Sequence, residues 1–389
     1  MGSAPNLLEC PVSIDFESFT PERLQGTSEK WSRRDAIGAG VAEMDFGIAP
    51  AIRAVLREAV EGGAFGYPTD DQVEAVRTSC AGWYERECGW QVAPERVQVT
   101  ADVLTGLLLT LRHLVPEGAP VILPIPNYMP FLSLPELYGH PVLRVPGRTD
   151  GRGGYVMDLD AIDEAFRAGG RLLILCNPHN PVGRVYDRAE LEDLATIVDR
   201  HGGRVFSDEI HAPLVLDRSR RHVPYAGISP TTAAHTTTAV AASKGWNIPG
   251  LKCAQLILSE ADSAVFAPFA PITSHQASTP GLLATARAYT DDGGWLAEVV
   301  AHLRGTATFL TELLDREIPG IGYREPEGTY LAWLDTTALA PDNPSRHFAE
   351  HGVVTTDGAA CGLPGFTRLN LAASRGTLEQ AVARMAASL

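Results

Sequence analysis

Three short polar runs are the places in this chain where chemistry could be done: Cys176-Asn177-Pro178-His179-Asn180-Pro181-Val182-Gly183, Ser207-Asp208-Glu209-Ile210-His211 and Ser243-Lys244-Gly245-Trp246-Asn247. Together they offer carboxylates, imidazoles, carboxamides and a primary amine, groups that orient a small ligand, move protons and condense with an aldehyde. Taken singly, each has an ordinary explanation. Asn-Pro pairs form turns, an acidic pair after a strand often caps a helix, and a lysine is usually a solvated charge. Their shared placement is what gives them weight, because they follow near-continuous apolar runs at 171–176, 203–207 and 236–241. Strands apolar on both faces belong to sheets covered by helices, and in such sheets ligands bind at the carboxyl ends of the strands.

The elements that must position these groups are legible as an α/β pattern. From about residue 90 to 260, apolar runs, including one at 119–123, alternate with helical periodicity, which predicts a mixed, mostly parallel sheet flanked by helices. Upstream, Pro50 opens a helix whose Ile52, Val55, Leu56, Ala59 and Val60 recur at helical spacing until Gly62-Gly63, and Phe65-Gly66-Tyr67-Pro68 follows. Downstream, Trp295, Val299, Leu303, Thr306, Leu310, Leu313 and Leu314 line one face of a long helix that ends at Pro319-Gly320. A smaller α+β unit with a last helix from about Thr377 completes the chain. The expected division is an N-terminal arm (1–45), a large domain (46–285) and a small C-terminal domain (286–389), joined by a broad interface because no low-complexity tether separates them.

Composition narrows the function. The chain has 389 residues with 32 basic and 47 acidic side chains, a formal charge of −15. That balance argues against a nucleic-acid or anionic-membrane partner. No run has the length and apolarity of a membrane span, and the first ten residues lack the basic and apolar regions of a signal peptide. The six cysteines are far apart, with no zinc-type spacing, so the expectation is reduced thiols, a cytoplasmic protein and no metal.

Taken in order, the three runs resemble those of pyridoxal-phosphate (PLP) enzymes of the aminotransferase superfamily, fold type I, and most of all its cystathionine β-lyase-like carbon-sulfur lyases. The resemblance extends to Ala42-Glu43-Met44-Asp45-Phe46, Phe65-Gly66-Tyr67, the stretch from Glu327 through Tyr330 and Trp333 to Asp335, and Arg368-Leu369-Asn370. It implies a large PLP-binding domain, a smaller C-terminal domain and a small-molecule amino-acid substrate. PLP is held by condensing with a primary amine, and this chain has only three lysines, Lys30, Lys244 and Lys252. Lys30 falls in the irregular N-terminal arm, whereas Lys244 follows a buried strand and is the expected cofactor-holding base.

The resemblance also assigns the other roles. Asp208 pairs with the ring nitrogen, and Tyr128 stacks on the ring. Asn180, and also His211, which is placed one helical turn from Asp208, hydrogen-bond the ring's phenolic oxygen or shape its surroundings. The phosphate sits on the helix start at Val103 and Leu104, with Ser243 and, as a contact left open, Lys252. Tyr67 reaches the phosphate of a neighbouring subunit, which implies a homodimer with shared active sites, and Arg368 grips the substrate carboxylate as a fork. Three departures from the family pattern bear on the pocket: Asp102 in place of a small residue, Cys361 in place of an aromatic, and a different lead-in at 35–40.

The expected reaction is α,β-elimination from an S-substituted cysteine, giving thiol, pyruvate and ammonia. The same residues would serve decarboxylation-coupled deamination or transamination of a bulky S-conjugate, as in lincosamide-type antibiotic tailoring. A non-catalytic PLP-binding regulator is the alternative of another class.

Overall fold

The computed structural model describes residues 14–150, 154–291, 294–339 and 343–389; Cys10 and the start of the arm lie outside them. At the centre is a seven-stranded sheet made of β1 (Val97–Thr100), β2 (Val121–Ile125), β3 (Val142–Pro146), β4 (Leu172–Cys176), β5 (Arg204–Asp208), β6 (Thr236–Val240) and β7 (Ala254–Ile257), in the order β1-β7-β6-β5-β4-β2-β3. Only β7 runs against its two neighbours; the other pairings are parallel. The mixed, mostly parallel α/β sheet expected from the sequence is therefore present.

Alternation along each strand explains the two cores. Leu172 and Ile174 of β4 pack on one face with Leu107 and Leu111 of the helix Val103–Leu114. Leu173 and Leu175 pack on the other with Leu191, Leu194 and Val198 of the helix Arg188–Arg200. Both faces are dry, which is why the run reads as continuously apolar. The helix Val103–Leu114 is drawn tight onto the sheet at Gly106, where an added Cβ would lie 2.5 Å from the Leu256 side chain. That close approach fixes where the helix begins.

A second, four-stranded antiparallel sheet contains Gly322–Tyr323, Leu331–Asp335, Phe366–Asn370 and Thr356–Asp357, in that spatial order. The arm docks beside it, with Ile37–Gly38 pairing in parallel with Val353–Val354. One apolar core joins Trp31 of the arm, Tyr84, Trp246, Leu303, Leu334 and Leu378. This is the continuous packing expected where no tether exists.

Several boundaries differ from expectation. The strand expected at 119–123 begins later, at Val121, because Pro120 only lends its carbonyl to the Arg171 amide. The last helix starts before Thr377, at Arg375, since Ser374 caps it by accepting the Thr377 amide. The long helix ends at Glu317, ahead of Pro319-Gly320.

Candidate active site

Topology alone gathers the polar runs. The parallel strands finish on one edge of the large sheet, and β7, running the other way, starts there. That edge therefore carries Asp102 after β1, Tyr128 after β2, the 177–183 loop after β4, Asp208 at the end of β5, Ser243 and Lys244 after β6, and Lys252 just before β7.

Lys244 Nζ donates to the Ala42 carbonyl at 2.7 Å. Among the described residues no carboxylate pairs with it. Burial, reinforced by the Arg368 guanidinium, pulls its pKa down to about 8. Near pH 7.5 such a group is about one-quarter free amine, against about one part in a thousand for an unperturbed lysine. The Ala42 carbonyl is itself fixed. It also accepts from Tyr330 Oη at 2.9 Å. Its segment is pinned by Asn247, whose amide donates to the Met44 and Gly47 carbonyls, and by Asn370, which donates to those of Val41 and Glu43.

Asp208 closes β5 and is buried. Burial pushes its carboxyl up to about 7, although Oδ1 accepts the Ile210 amide at 3.1 Å. A carboxyl poised there becomes a carboxylate once a cation sits beside it. His211 lies in a turn rather than one helical turn along: no helix follows β5, because the Ile210 amide is taken by Asp208 and the chain folds back through Ala212 N–H to Glu209 and Leu214 N–H to His211. Burial, then the charges of Lys244 and Arg368, holds the His211 imidazole neutral, and its Nδ1 is buried without a partner. Its ring meets Tyr330 edge-on at 5.9 Å.

Arg368, on the strand Phe366–Asn370, is only 2% exposed. Its Nη1 donates to Asn180 Oδ1 at 2.9 Å, and Nη2 to the Gly40 carbonyl at 2.8 Å and Thr356 Oγ1 at 3.1 Å, while Nε is buried and unpartnered. No described carboxylate pairs with it, so a buried cation is held by neutral groups alone. A carboxylate ligand would supply the charge that the protein withholds. The departure at 35–40 is absorbed here because its contribution is a backbone carbonyl. Gly40 has little room for a side chain, since a Cβ would lie 2.9 Å from the Thr355 carbonyl carbon.

Tyr128 stands just before the helix Met129–Leu137 and meets Phe131 edge-on at 5.4 Å; burial and then the Asp208 charge raise its phenol pKa. At the far end of the edge, Asp102 caps the helix Val103–Leu114, accepting the Thr105 amide and hydroxyl, both at 2.8 Å, and its other oxygen holds Lys252 Nζ at 3.0 Å. Burial pushes the Asp102 carboxyl up, but Thr105 and Lys252 together outweigh that and hold it low. The amides of Val103 and Leu104 lie ahead of the helical ladder. The Asp102 carboxylate thus reaches sideways to Lys252 instead of standing free at the helix start.

Not every expected residue joins this cluster. Tyr67, expected to reach a neighbouring subunit, is 84% exposed and stacks on His275 at 5.7 Å. Ser243, which does lie on the Lys244 edge, offers its carbonyl to the Ile248 amide. Lys30 lies in the arm as expected, in the short turn Glu29–Trp31, but it is buried there in an ion pair with Asp45 at 2.9 Å. Glu209 turns to the opposite face of β5, where Tyr84 Oη, Ser207 Oγ, His222 Nε2 and the Tyr225 amide surround it. His179 is likewise structural, held between Tyr186 Oη and the Pro126 carbonyl. Cys361 is fully buried, and its carbonyl accepts the Asn127 amide beside Tyr128. Among the described residues no group of three or more His, Cys, Asp or Glu could hold a metal ion, and no helix is long and apolar enough to cross a membrane.

Comparison with known proteins adds an independent line. The aminotransferase class I and II family matches residues 34–385. A cystathionine beta-lyase of Corynebacterium glutamicum is 37% identical, with 92% of this chain and 96% of that protein aligned. The cystathionine beta-lyase PatB of Bacillus subtilis is 31% identical over 95% of this chain and 98% of its own. Cystalysin from Treponema denticola, solved with a pyridoxal 5'-phosphate cofactor, superposes with a TM-score of 0.88 at 25% identity, covering 96% of this chain and 98% of its own.

Proposed function

The chain belongs to the aminotransferase class I and II family, in its cystathionine β-lyase-like branch, and from that premise we propose that it is a PLP-dependent carbon-sulfur lyase acting by α,β-elimination on an S-substituted cysteine. What carries the reaction type is the near-full-length likeness to cystathionine beta-lyases. What carries the site is the placing of Lys244 and Asp208 on one edge of the large sheet, with Arg368 of the second sheet brought to that edge through Asn180, each buried or half-buried and none with a described opposite charge in direct contact.

The residues fit the cofactor. Asp208 is poised to become a carboxylate beside a ring-nitrogen cation, His211 Nδ1 is an unpartnered polar atom, Lys244 is an accessible amine, and a helix start offers the amides of Val103 and Leu104 to a phosphate. Bound PLP supplies an aldehyde and a ring that draws electrons from the substrate Cα. Lys244, released from the Ala42 carbonyl, holds the cofactor through its Nζ. With substrate bound, the same nitrogen would stand free to take the Cα proton, a task suited to an amine whose pKa is lowered by burial. Arg368 clamps the substrate carboxylate, and Asn180 keeps the guanidinium plane fixed. Tyr128 covers one face of the ring, and Ser243 and Lys252 add donors for the phosphate. Loss of the thiolate from Cβ leaves 2-aminoacrylate, which after release takes up water to give pyruvate and ammonia.

We place the enzyme in the cytoplasm as a homodimer with three parts, 1–45, 46–285 and 286–389. Phe65 and Tyr67 support the dimer, since two large aromatics two residues apart are both mostly exposed. The cysteines described are all free thiols, which suits a reducing compartment. Cys361, a small buried residue beside the Tyr128 turn, favours a second reading, antibiotic tailoring of a bulky S-conjugate by decarboxylation-coupled deamination or transamination.

The test is product analysis on purified holoenzyme given L-cystathionine and S-aryl cysteines. Equal amounts of thiol and pyruvate are expected. Carbon dioxide, an aldehyde or a sulfur-retaining keto acid in their place would overturn elimination in favour of the second reading.

A further inference from the structure

The turn that leads into the strand Leu331–Asp335 is held more firmly than a connection requires. Among the described residues, Asn247, Lys252 and Thr329 are the non-glycines with a left-handed backbone. Asparagine adopts that region readily, but a β-branched residue such as Thr329, at φ 72°, does so at a cost that the surrounding structure must offset.

The surroundings are the two loops that follow β4 and β5 and carry the cofactor site. Glu327 Oε2 accepts the Val185 amide and Oε1 the Arg184 guanidinium, both at 2.9 Å, and its carbonyl accepts the Leu216 and Asp217 amides at 2.8 and 3.0 Å. The Gly328 amide bonds the Gly183 carbonyl at 3.0 Å, and a Cβ on Gly328 would lie 2.7 Å from the Val185 side chain. The Thr329 amide bonds the Leu214 carbonyl at 2.9 Å, while its hydroxyl accepts the Leu331 amide at 3.1 Å.

What this turn delivers is the Tyr330 side chain, 1% exposed and edge-on to His211. Its hydroxyl donates to the Ala42 carbonyl at 2.9 Å, the same oxygen that Lys244 Nζ reaches at 2.7 Å. A carbonyl oxygen has two lone pairs, so two donors share one acceptor here. Lys244 must leave that oxygen to hold the cofactor, and an acceptor that has lost its donor costs free energy to the extent that water cannot reach it. With Tyr330 in place, the carbonyl keeps a partner when the amine departs.

We propose that Tyr330 is a positioning residue for Lys244: its hydroxyl shares the Ala42 carbonyl with the amine in the cofactor-free protein and keeps that carbonyl satisfied once the amine turns to the cofactor. The proposal rests on Lys244 being the cofactor-holding base.

Tyr330→Phe removes the hydroxyl and keeps the ring. Absorbance titration of cofactor-free protein with PLP reads the affinity, and labelling with acetic anhydride at a series of pH values, followed by peptide mass spectrometry, reads the state of the Lys244 amine. Affinity should fall roughly three- to tenfold, the range for one neutral hydrogen bond. The labelling midpoint, expected at about 8 in the wild type, should rise by about half a unit, because the ammonium then has the carbonyl to itself. Arg368, Glu43, Asp208, Lys252 and His211 also surround this amine and are the same in both proteins, so the rise reports the hydroxyl. Tyr225→Phe, which loses a buried hydroxyl that meets His235 Nε2 at 3.2 Å, should move neither reading. Unchanged affinity, or a midpoint that stays or falls, would overturn the role of Tyr330. Borohydride trapping of both proteins separates this outcome from a failure of the premise: label on Lys244 leaves only Tyr330 in question, whereas label on another lysine overturns the premise and the proposal together.

Discussion

Two lysines clasp the same short segment of chain and are treated in opposite ways. Lys30 Nζ reaches the Glu43 carbonyl at 3.2 Å and is neutralised by Asp45 at 2.9 Å, with both side chains only 1% exposed and Trp31 Nε1 donating to the same carboxylate at 2.7 Å. Lys244 Nζ reaches the adjacent carbonyl, that of Ala42, yet it faces the Arg368 cation and has no described carboxylate in contact. The first arrangement gives a buried cation a carboxylate partner, although Asp45 Oδ2 stays unbonded and burial raises the Asp45 pKa; the second leaves one without a described carboxylate until a ligand arrives. Stability and reactivity are set here by the presence or absence of a single carboxylate partner.

The comparison can be broken at either lysine. Lys244→Ala should lower turnover by about 10³-fold or more, the upper range for loss of a proton-transferring group, while the melting temperature of the cofactor-free protein holds or rises because a poorly solvated cation has gone. Lys30→Ala should do the reverse: stranding buried Asp45 costs about 3–5 kcal/mol of stability, read by denaturant unfolding, while KM of the protein that remains folded is unchanged. If Lys30→Ala were neutral for stability, the contrast would collapse.

Asp208 sharpens the same point through pH. Its folded pKa, near 7, lies above the ordinary carboxyl value of 3.8, so the folded cofactor-free protein binds more protons than the unfolded chain between those values. The stability it contributes is complete below about pH 4 and is lost as pH rises through 7. Melting temperatures of cofactor-free protein at pH 5 and pH 8 should therefore differ less in Asp208→Asn than in the wild type, and the variant should lose activity although it is the more stable at pH 8. The smallest effect is expected for Arg368→Lys. A point charge replaces a fork held by Asn180, Gly40 and Thr356, so KM should rise about tenfold with kcat less affected; a change in kcat alone would remove Arg368 from the carboxylate clamp.

Much of this was legible in the sequence because strand ends are short-range facts. Apolar runs ending in polar clusters placed Asp208 and Lys244 on one edge once the strands were parallel. The groups that hold them were harder to see. Gly40 and Ala42 act through carbonyls, which no side chain advertises. Thr356 reaches Arg368 only because its strand pairs beside Phe366–Asn370. His211 was expected a helical turn from Asp208, but that carboxylate bonds the Ile210 amide and breaks the helix before it starts. Lys30 reads as an arm residue until its partner, fifteen positions later, is known. Asp102 reads only as a departure from a small residue, because the sequence does not reveal that Thr105 and Lys252 occupy its oxygens.

The most direct measurement uses the scarcity of lysine. Borohydride reduction of the holoenzyme joins the cofactor irreversibly to the amine that holds it, and peptide mass spectrometry then finds the modified residue. The account predicts the added mass on the peptide containing Lys244 and on no other; label on Lys30 or Lys252, or no label at all, would contradict it.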